Sequence, residues 1–166
     1  MAINVRAATR GDVGLILELI RALAEYEKGL EEVEATEALL EQHLFGAGIG
    51  RGPVAECVIG EQDGVAQGFA LFFHNFSTWK GKPGVYLEDL FVRPEARGTG
   101  LGKALLEHVA GIAVERGCGR FEWIVLDWNT LAIEFYRAKG AEPLEGWTVF
   151  RTSGAALRAL GSTQRG

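Results

Sequence analysis

A chain of 166 residues, 48% of them hydrophobic, with a mean hydropathy of +0.08, fits a single domain over residues 1–166, because single domains commonly run to about 100–200 residues. The formal net charge of -5 argues against a nucleic-acid module, which usually carries a basic patch. Cys57 and Cys118 are too few for a disulfide framework or a zinc site, no apolar run nears the roughly 18 residues of a membrane span, and MAINVRAATRGD has no apolar signal-peptide core, so the expected location is the cytoplasm.

In chain order, INVR reads as a short alternating strand, and Thr9 with Asp12 forms a capping signature. The following run carries Leu15, Ile16, Leu19, Ile20, Leu23 and Tyr26 at helical spacing, with Gly29 as its stop. Thr36 caps a shorter helix, EALLEQHLF, before a Gly-rich loop, GAGIGRGP. Two β-rich runs meet at the turn Asp63-Gly64, and PGVYLEDLFVRP completes three consecutive antiparallel strands. A helix from Leu101 through Leu105, Val109 and Ile112 ends near Gly117. RFEWIVL reads as a buried strand, NTLAIEFYRAKG as a helix capped by Asn129 and closed by Gly140, and GWTVFRT as a last strand. The order β-α-α-β-β-β-α-β-α-β is a mixed α/β (α+β) plan: a mostly antiparallel central sheet flanked by helices.

The informative stretch is VRPEARGTGLGKALLEHV. Gly98, Gly100 and Gly102 stand on alternate positions between a strand and a helix, where unpaired N–H groups and the positive end of the helix dipole attract anions. Glycines let phosphate oxygens approach those amides, and Arg97 and Lys103 add positive charge. A Walker A loop needs Gly at 97 and Ser or Thr at 104, where Arg97 and Ala104 stand. The dinucleotide fingerprint needs G-x-G-x-x-G in a parallel βαβ unit, not G-x-G-x-G after a meander. A phosphate or pyrophosphate remains the fitting guest; the competing reading is an ordinary Gly-rich turn.

YLEDLFVRPEARGTGLGKALLEHV resembles the acetyl-CoA signature of the GNAT N-acetyltransferases, R/Q-x-x-G-x-G/A, matched from Arg97 to Gly102. AEYEKG, STWKGK, YLED, LDWN, FYRAKGA and EGW extend the likeness, in order, to the diamine acetyltransferases, above all to their thialysine-acetylating branch. The resemblance implies acetyl-CoA as cosubstrate without a metal, its pyrophosphate held by Arg97, Gly98, Thr99, Gly100, Leu101, Gly102 and Lys103. Its pantetheine would pair with Leu90, Phe91 and Val92 as an added strand. Asn129 either caps its helix or bonds the pantetheine.

The same resemblance implies a direct acetyl transfer to a small cationic amine. An ammonium of pKa about 10.4 must lose its proton before it attacks, and Glu88 is the expected base; Glu88 and Asp89 cannot both face the pocket, since strand side chains alternate. Tyr136 is the implied proton donor to the leaving thiolate, against a packing role beside Phe135. Tyr26, Glu27, Trp79, Glu88 and Glu145 are implied to hold the amine, partly by cation–π contact. Ser77 stands where the polyamine-preferring branch has an acid, which weakens the case for spermine and spermidine. The resemblance also implies a homodimer, to which a terminal strand bearing Trp147, Val149 and Phe150 would add a pairing-prone edge. Cys118 has no sequence neighbour to activate it as a nucleophile. A protein-lysine acetyltransferase and a non-catalytic acyl-CoA sensor are the rival classes.

Overall fold

Asp63 and Gly64 both adopt positive φ, 50° and 79°, as a two-residue hairpin turn matched to strand twist requires. In the computed structural model, which describes residues 1–162, that turn joins β2 (Glu56–Gln62) to β3 (Val65–Ser77). The chain forms two compact units, Met1–Ile124 and Val125–Gly166. In the first, β1 (Ile3–Ala7), β2, β3 and β4 (Lys82–Val92) form an antiparallel run, and β5 (Phe121–Glu122) adds a parallel edge in the order β1-β2-β3-β4-β5.

Helix α1 (Val13–Tyr26) covers one face of this sheet. Ile16 and Leu19 are fully buried and pack with Cys57, Ile59, Phe69, Leu71 and Phe91. Its entry is fixed by the capping residues: the Thr9 N–H donates to Asp12 Oδ2 at 2.7 Å, and the Arg6 guanidinium donates to both Asp12 oxygens at 2.8 and 2.9 Å. Those bonds hold the Asp12 carboxyl well below the usual carboxylate range. Thr36 Oγ1 accepts from the Leu39 N–H at 3.2 Å and opens α2 (Glu37–Leu40), which runs into a π-helical turn, Glu41–Phe45.

Helix α3 (Leu101–Glu115) covers the opposite face and buries Leu101, Leu105 and Val109 completely. The approach is close at Gly60, where a Cβ would lie 3.0 Å from Leu101 Cδ1 and 3.1 Å from Leu105 Cδ1, so that those side chains would have to give by a few tenths of an ångström.

In the second unit, Asn129 Oδ1 accepts from the Ala132 N–H at 3.2 Å and caps α4 (Thr130–Ala138), and α5 (Gly154–Ser162) follows. The expected strand GWTVFRT is not formed: residues 147–153 have no regular structure and the chain goes on into α5. RFEWIVL shrinks to the two-residue β5. An alternating apolar run becomes a strand only where another strand offers a ladder. Trp147, Val149 and Phe150 are 76%, 69% and 92% exposed, so the edge-pairing argument for a dimer falls away.

Candidate active site

The glycine loop follows β4 through a 3-10 turn, Pro94–Ala96. Gly98 and Gly100 have φ of 77° and 95°, the left-handed region that side chains other than glycine enter only with strain. Thr99 Oγ1 donates to the Ala96 carbonyl at 2.7 Å and tightens the bend. The first backbone bond of α3 runs from the Ala104 N–H to the Gly100 carbonyl at 2.9 Å, so the N–H groups of Leu101, Gly102 and Lys103 belong to the turn without intrahelical acceptors. A Cβ on Gly98 would meet nothing within 4 Å, and one on Gly100 only Ile3 Cδ1, at 3.7 Å. Open space above clustered amides at a helix N-terminus fits a pyrophosphate.

Arg97 does not reach over this loop. Its Nε–H donates to the Val92 carbonyl at 3.0 Å, and its guanidinium lies 4.5 Å from the Tyr26 ring centroid and 5.7 Å from that of Phe91. One face of Tyr26, expected to receive the amine, is therefore covered by an internal cation. Lys103 Nζ sits 3.7 Å from Glu107 Oε1 on the exposed side of α3.

A β-bulge shapes the strand that leads into the loop. Leu71 pairs with Asp89 and Phe72 with Leu87, which leaves Glu88 as the extra residue. The bulge turns the odd positions over. Leu87 lies opposite Phe72 on the α3 side, whereas Asp89 and Phe91 lie opposite Leu71 and Phe69 on the α1 side. Glu88 is left exposed and Asp89 half-buried. Burial first, then the charges of Glu88 and Glu27, push the Asp89 carboxyl up to about 7. Glu27, just past the end of α1, is itself pushed up by partial burial.

The same strand has an open edge. β5 pairs with β4 only at Val85 and Tyr86, so its ladder stops before the bulge. The Arg93 N–H donates to the Gln67 carbonyl on β3 at 2.8 Å. By alternation Phe91 turns its backbone to β3 as well, while Leu90 and Val92 present theirs to the open edge. With the Val92 carbonyl taken by Arg97, the outward groups are the Leu90 N–H and carbonyl and the Val92 N–H. Two of the three strand residues expected to pair with an extended arm thus face outward, and Phe91 does not.

Asp89 gives a pH-dependent prediction. Its carboxyl stays protonated in the folded chain until about pH 7 but ionises near 3.9 when unfolded. The folded state then holds more protons through that window, so stability declines as pH rises from about 4 to 7 and the penalty is complete above it. Three pH units correspond to at most about 4 kcal/mol. Asp89→Asn is expected to raise the melting temperature by several degrees at pH 8 and much less at pH 4. Equal shifts at both values in thermal scans would contradict this.

The other expected site residues divide between the two units. Trp79 is 94% exposed in the β3–β4 hairpin, next to a buried Ser77 whose Oγ accepts from the Lys80 N–H at 3.2 Å. Ser77 is the neutral last residue of β3. Within the second unit, Tyr136 is half-buried on α4 with its ring 5.4 Å from that of Phe135, and Glu145 is exposed. The Asn129 cap uses Oδ1 alone, so a pantetheine contact would fall to its Nδ2. Sequence reasoning missed the titration of Asp89, and it missed His74, whose Nδ1 lies 3.8 Å from Cys118 Sγ. That pair sits where the Gly119 N–H bonds the Pro83 carbonyl, five positions from Glu88 and so roughly 17 Å along the strand. Among the described residues, no group of three or more His, Cys, Asp or Glu is placed to hold a metal ion, and no helix is long and apolar enough to cross a membrane.

Sheet, bulge and glycine loop define an acyltransferase of the GNAT type, and the comparisons agree. Residues 16–141 match the model of the acetyltransferase (GNAT) family, and the chain belongs to that family. It is 40% identical over 169 residues to a thialysine N-epsilon-acetyltransferase of Bos taurus, covering 95% of this chain and 96% of that protein. It is 48% identical over 98 residues to an L-ornithine N5-acetyltransferase of Arabidopsis thaliana, covering 59% of this chain and 43% of that protein. Among solved structures, an integron cassette protein from the mobile metagenome of V. cholerae superposes with a TM-score of 0.77 at 26% identity, over 98% of this chain and 99% of that one. The chain is an N-acetyltransferase that acts on amines.

Proposed function

We propose that the chain moves an acetyl group from acetyl-CoA to a primary amine of a small cationic substrate, a thialysine-like amino acid or a short diamine, by direct attack within a ternary complex. The observation that carries the reading is the open edge of β4, which runs from a bulge bearing Glu88 beside Asp89 straight into the glycine loop. The relatives' substrates, thialysine and L-ornithine, are amino acids with a primary amine at the end of a flexible side chain.

Acetyl-CoA supplies an activated thioester carbon, so that a C–N bond forms as the C–S bond breaks, and the net reaction releases one proton from the ammonium. The backbone amides of residues 97–103 would hold the pyrophosphate, and the Leu90 and Val92 edge would pair with the pantetheine and offer an N–H to the developing oxyanion. Glu88 accepts the ammonium proton through water. Tyr136 would give a proton to the departing sulfur and regain one from the second proton that the acetylated nitrogen sheds; this role is carried over from the family. Tyr26, Glu27, Trp79 and Glu145 would line the amine side. A homodimer, the family's arrangement, completes the proposal, and a single-chain mass in light scattering at micromolar concentration would remove it.

A second reading has its own observation: Asp89, with its carboxyl near 7, as the base. Two variants separate them. If Glu88 is the base, Glu88→Gln loses most turnover at neutral pH and recovers in part as pH climbs towards about 10, where solution deprotonates the amine. Asp89→Asn then keeps a normal pH–rate profile. The reverse pattern assigns the base to Asp89.

A further inference from the structure

The side chain of Arg97 joins two parts of the molecule far apart in sequence. Its backbone opens the glycine loop, yet its guanidinium lies 4.5 Å from the centroid of Tyr26 in the last turn of α1. The Nε–H bond to the Val92 carbonyl at 3.0 Å fixes the plane of the group, and Phe91 approaches it from 5.7 Å. Ala22, Glu25 and Pro94 complete the walls of the cleft that holds this stack. Planar guanidinium over an aromatic face is an attractive and orientation-dependent contact. Here it ties α1 to the end of β4, and Glu27 follows Tyr26 directly.

We infer that Arg97 is a positioning residue for the amine side of the site: it holds Tyr26, and through it Glu27, in place against β4, instead of serving only the phosphate groups of the cosubstrate. The inference rests on the proposed function for the identity of the amine. It follows that disturbing Arg97 changes recognition of the amine even when acetyl-CoA is saturating. A residue that only clamped phosphate would change acetyl-CoA binding alone. It also follows that the ring face covered by Arg97 is closed to the substrate ammonium, so that charge contact with the amine falls to the Glu27 carboxylate.

The test is a double-variant cycle on the full chain with Arg97→Gln, Tyr26→Leu and the combination, using thialysine at saturating acetyl-CoA, and Arg97→Lys as the conservative control. Each single variant is expected to raise the KM for thialysine about tenfold, and the double variant no more than either. Arg97→Lys, which keeps a cation near the ring but loses the planar group and its bond to the Val92 carbonyl, should restore only part of the loss. An unchanged thialysine KM in Arg97→Gln, or single effects that multiply in the double variant, overturns the inference. Thermal unfolding of the same chains reads the stack without any substrate: the double variant should melt above the temperature obtained by adding the two single shifts, and strict additivity counts against the contact. Wild-type turnover of thialysine separates the two claims, since its absence overturns the proposed substrate while the melting cycle still decides the stack.

Discussion

Tyr136→Phe is expected to lower kcat by about 10²–10⁴-fold while acetyl-CoA affinity stays near the wild-type value. The substitution removes one hydroxyl from a half-buried ring on α4 and leaves the aromatic contact with Phe135 in place, so packing is little disturbed. What it removes, on the proposed mechanism, is a proton needed only as the thiolate departs, and an interaction made late in the reaction shows in kcat and not in ground-state binding. Rapid-quench kinetics would establish that chemistry limits turnover. Full kcat under those conditions would return Tyr136 to packing.

The second large effect is loss of acetyl-CoA binding in Gly100→Val, with calorimetric affinity expected to fall at least a hundredfold. Gly100 holds φ of 95° at the N-cap of α3, and a valine forced into that region costs about 1–3 kcal/mol, against the 5–15 kcal/mol of an ordinary domain. The sheet and both of its helices should therefore persist, as far-UV circular dichroism can verify. A Cβ at Gly100 meets nothing within 4 Å but Ile3 Cδ1, at 3.7 Å, so the loss, on the proposed mode of binding, comes from the added isopropyl group beside the amides that would hold the phosphates and not from a clash within the chain. A chelator should leave wild-type binding unchanged. Retained affinity in the variant, or loss of affinity with the chelator, would contradict the assignment.

The features legible in the chain were local. Helical spacing of Ile16 and Leu19, and of Leu101, Leu105 and Val109, marked the two helices that cover the sheet, and Asp63-Gly64 marked its hairpin, because periodicity and turn chemistry act over a few residues. The alternating run GWTVFRT carried the same strand signal as INVR, yet only the latter lies against a ladder partner. Pairing is a long-range event that a run of letters does not encode. The bulge at Glu88 was invisible for a related reason. No glycine or proline announces it, and a regular strand sets Glu88 and Asp89 on two faces of one pleat. The structure instead leaves Glu88 exposed at the irregularity and turns Asp89 towards α1. Arg97 and Tyr26 are likewise remote in the chain, and only folding reveals that the loop's arginine is held by an aromatic ring of α1.

One assay tests the central claim most directly: thiol release from acetyl-CoA by the purified chain against thialysine, ornithine, lysine, putrescine, spermidine and a histone-tail peptide, each product checked by mass spectrometry. The account predicts that thialysine and the short amines are acetylated on nitrogen, with spermidine poorer, the peptide inert and no thiol released when amine is omitted. Acetylation of the peptide alone, or a burst of thiol without amine accompanied by an acetylated Cys118, would contradict it.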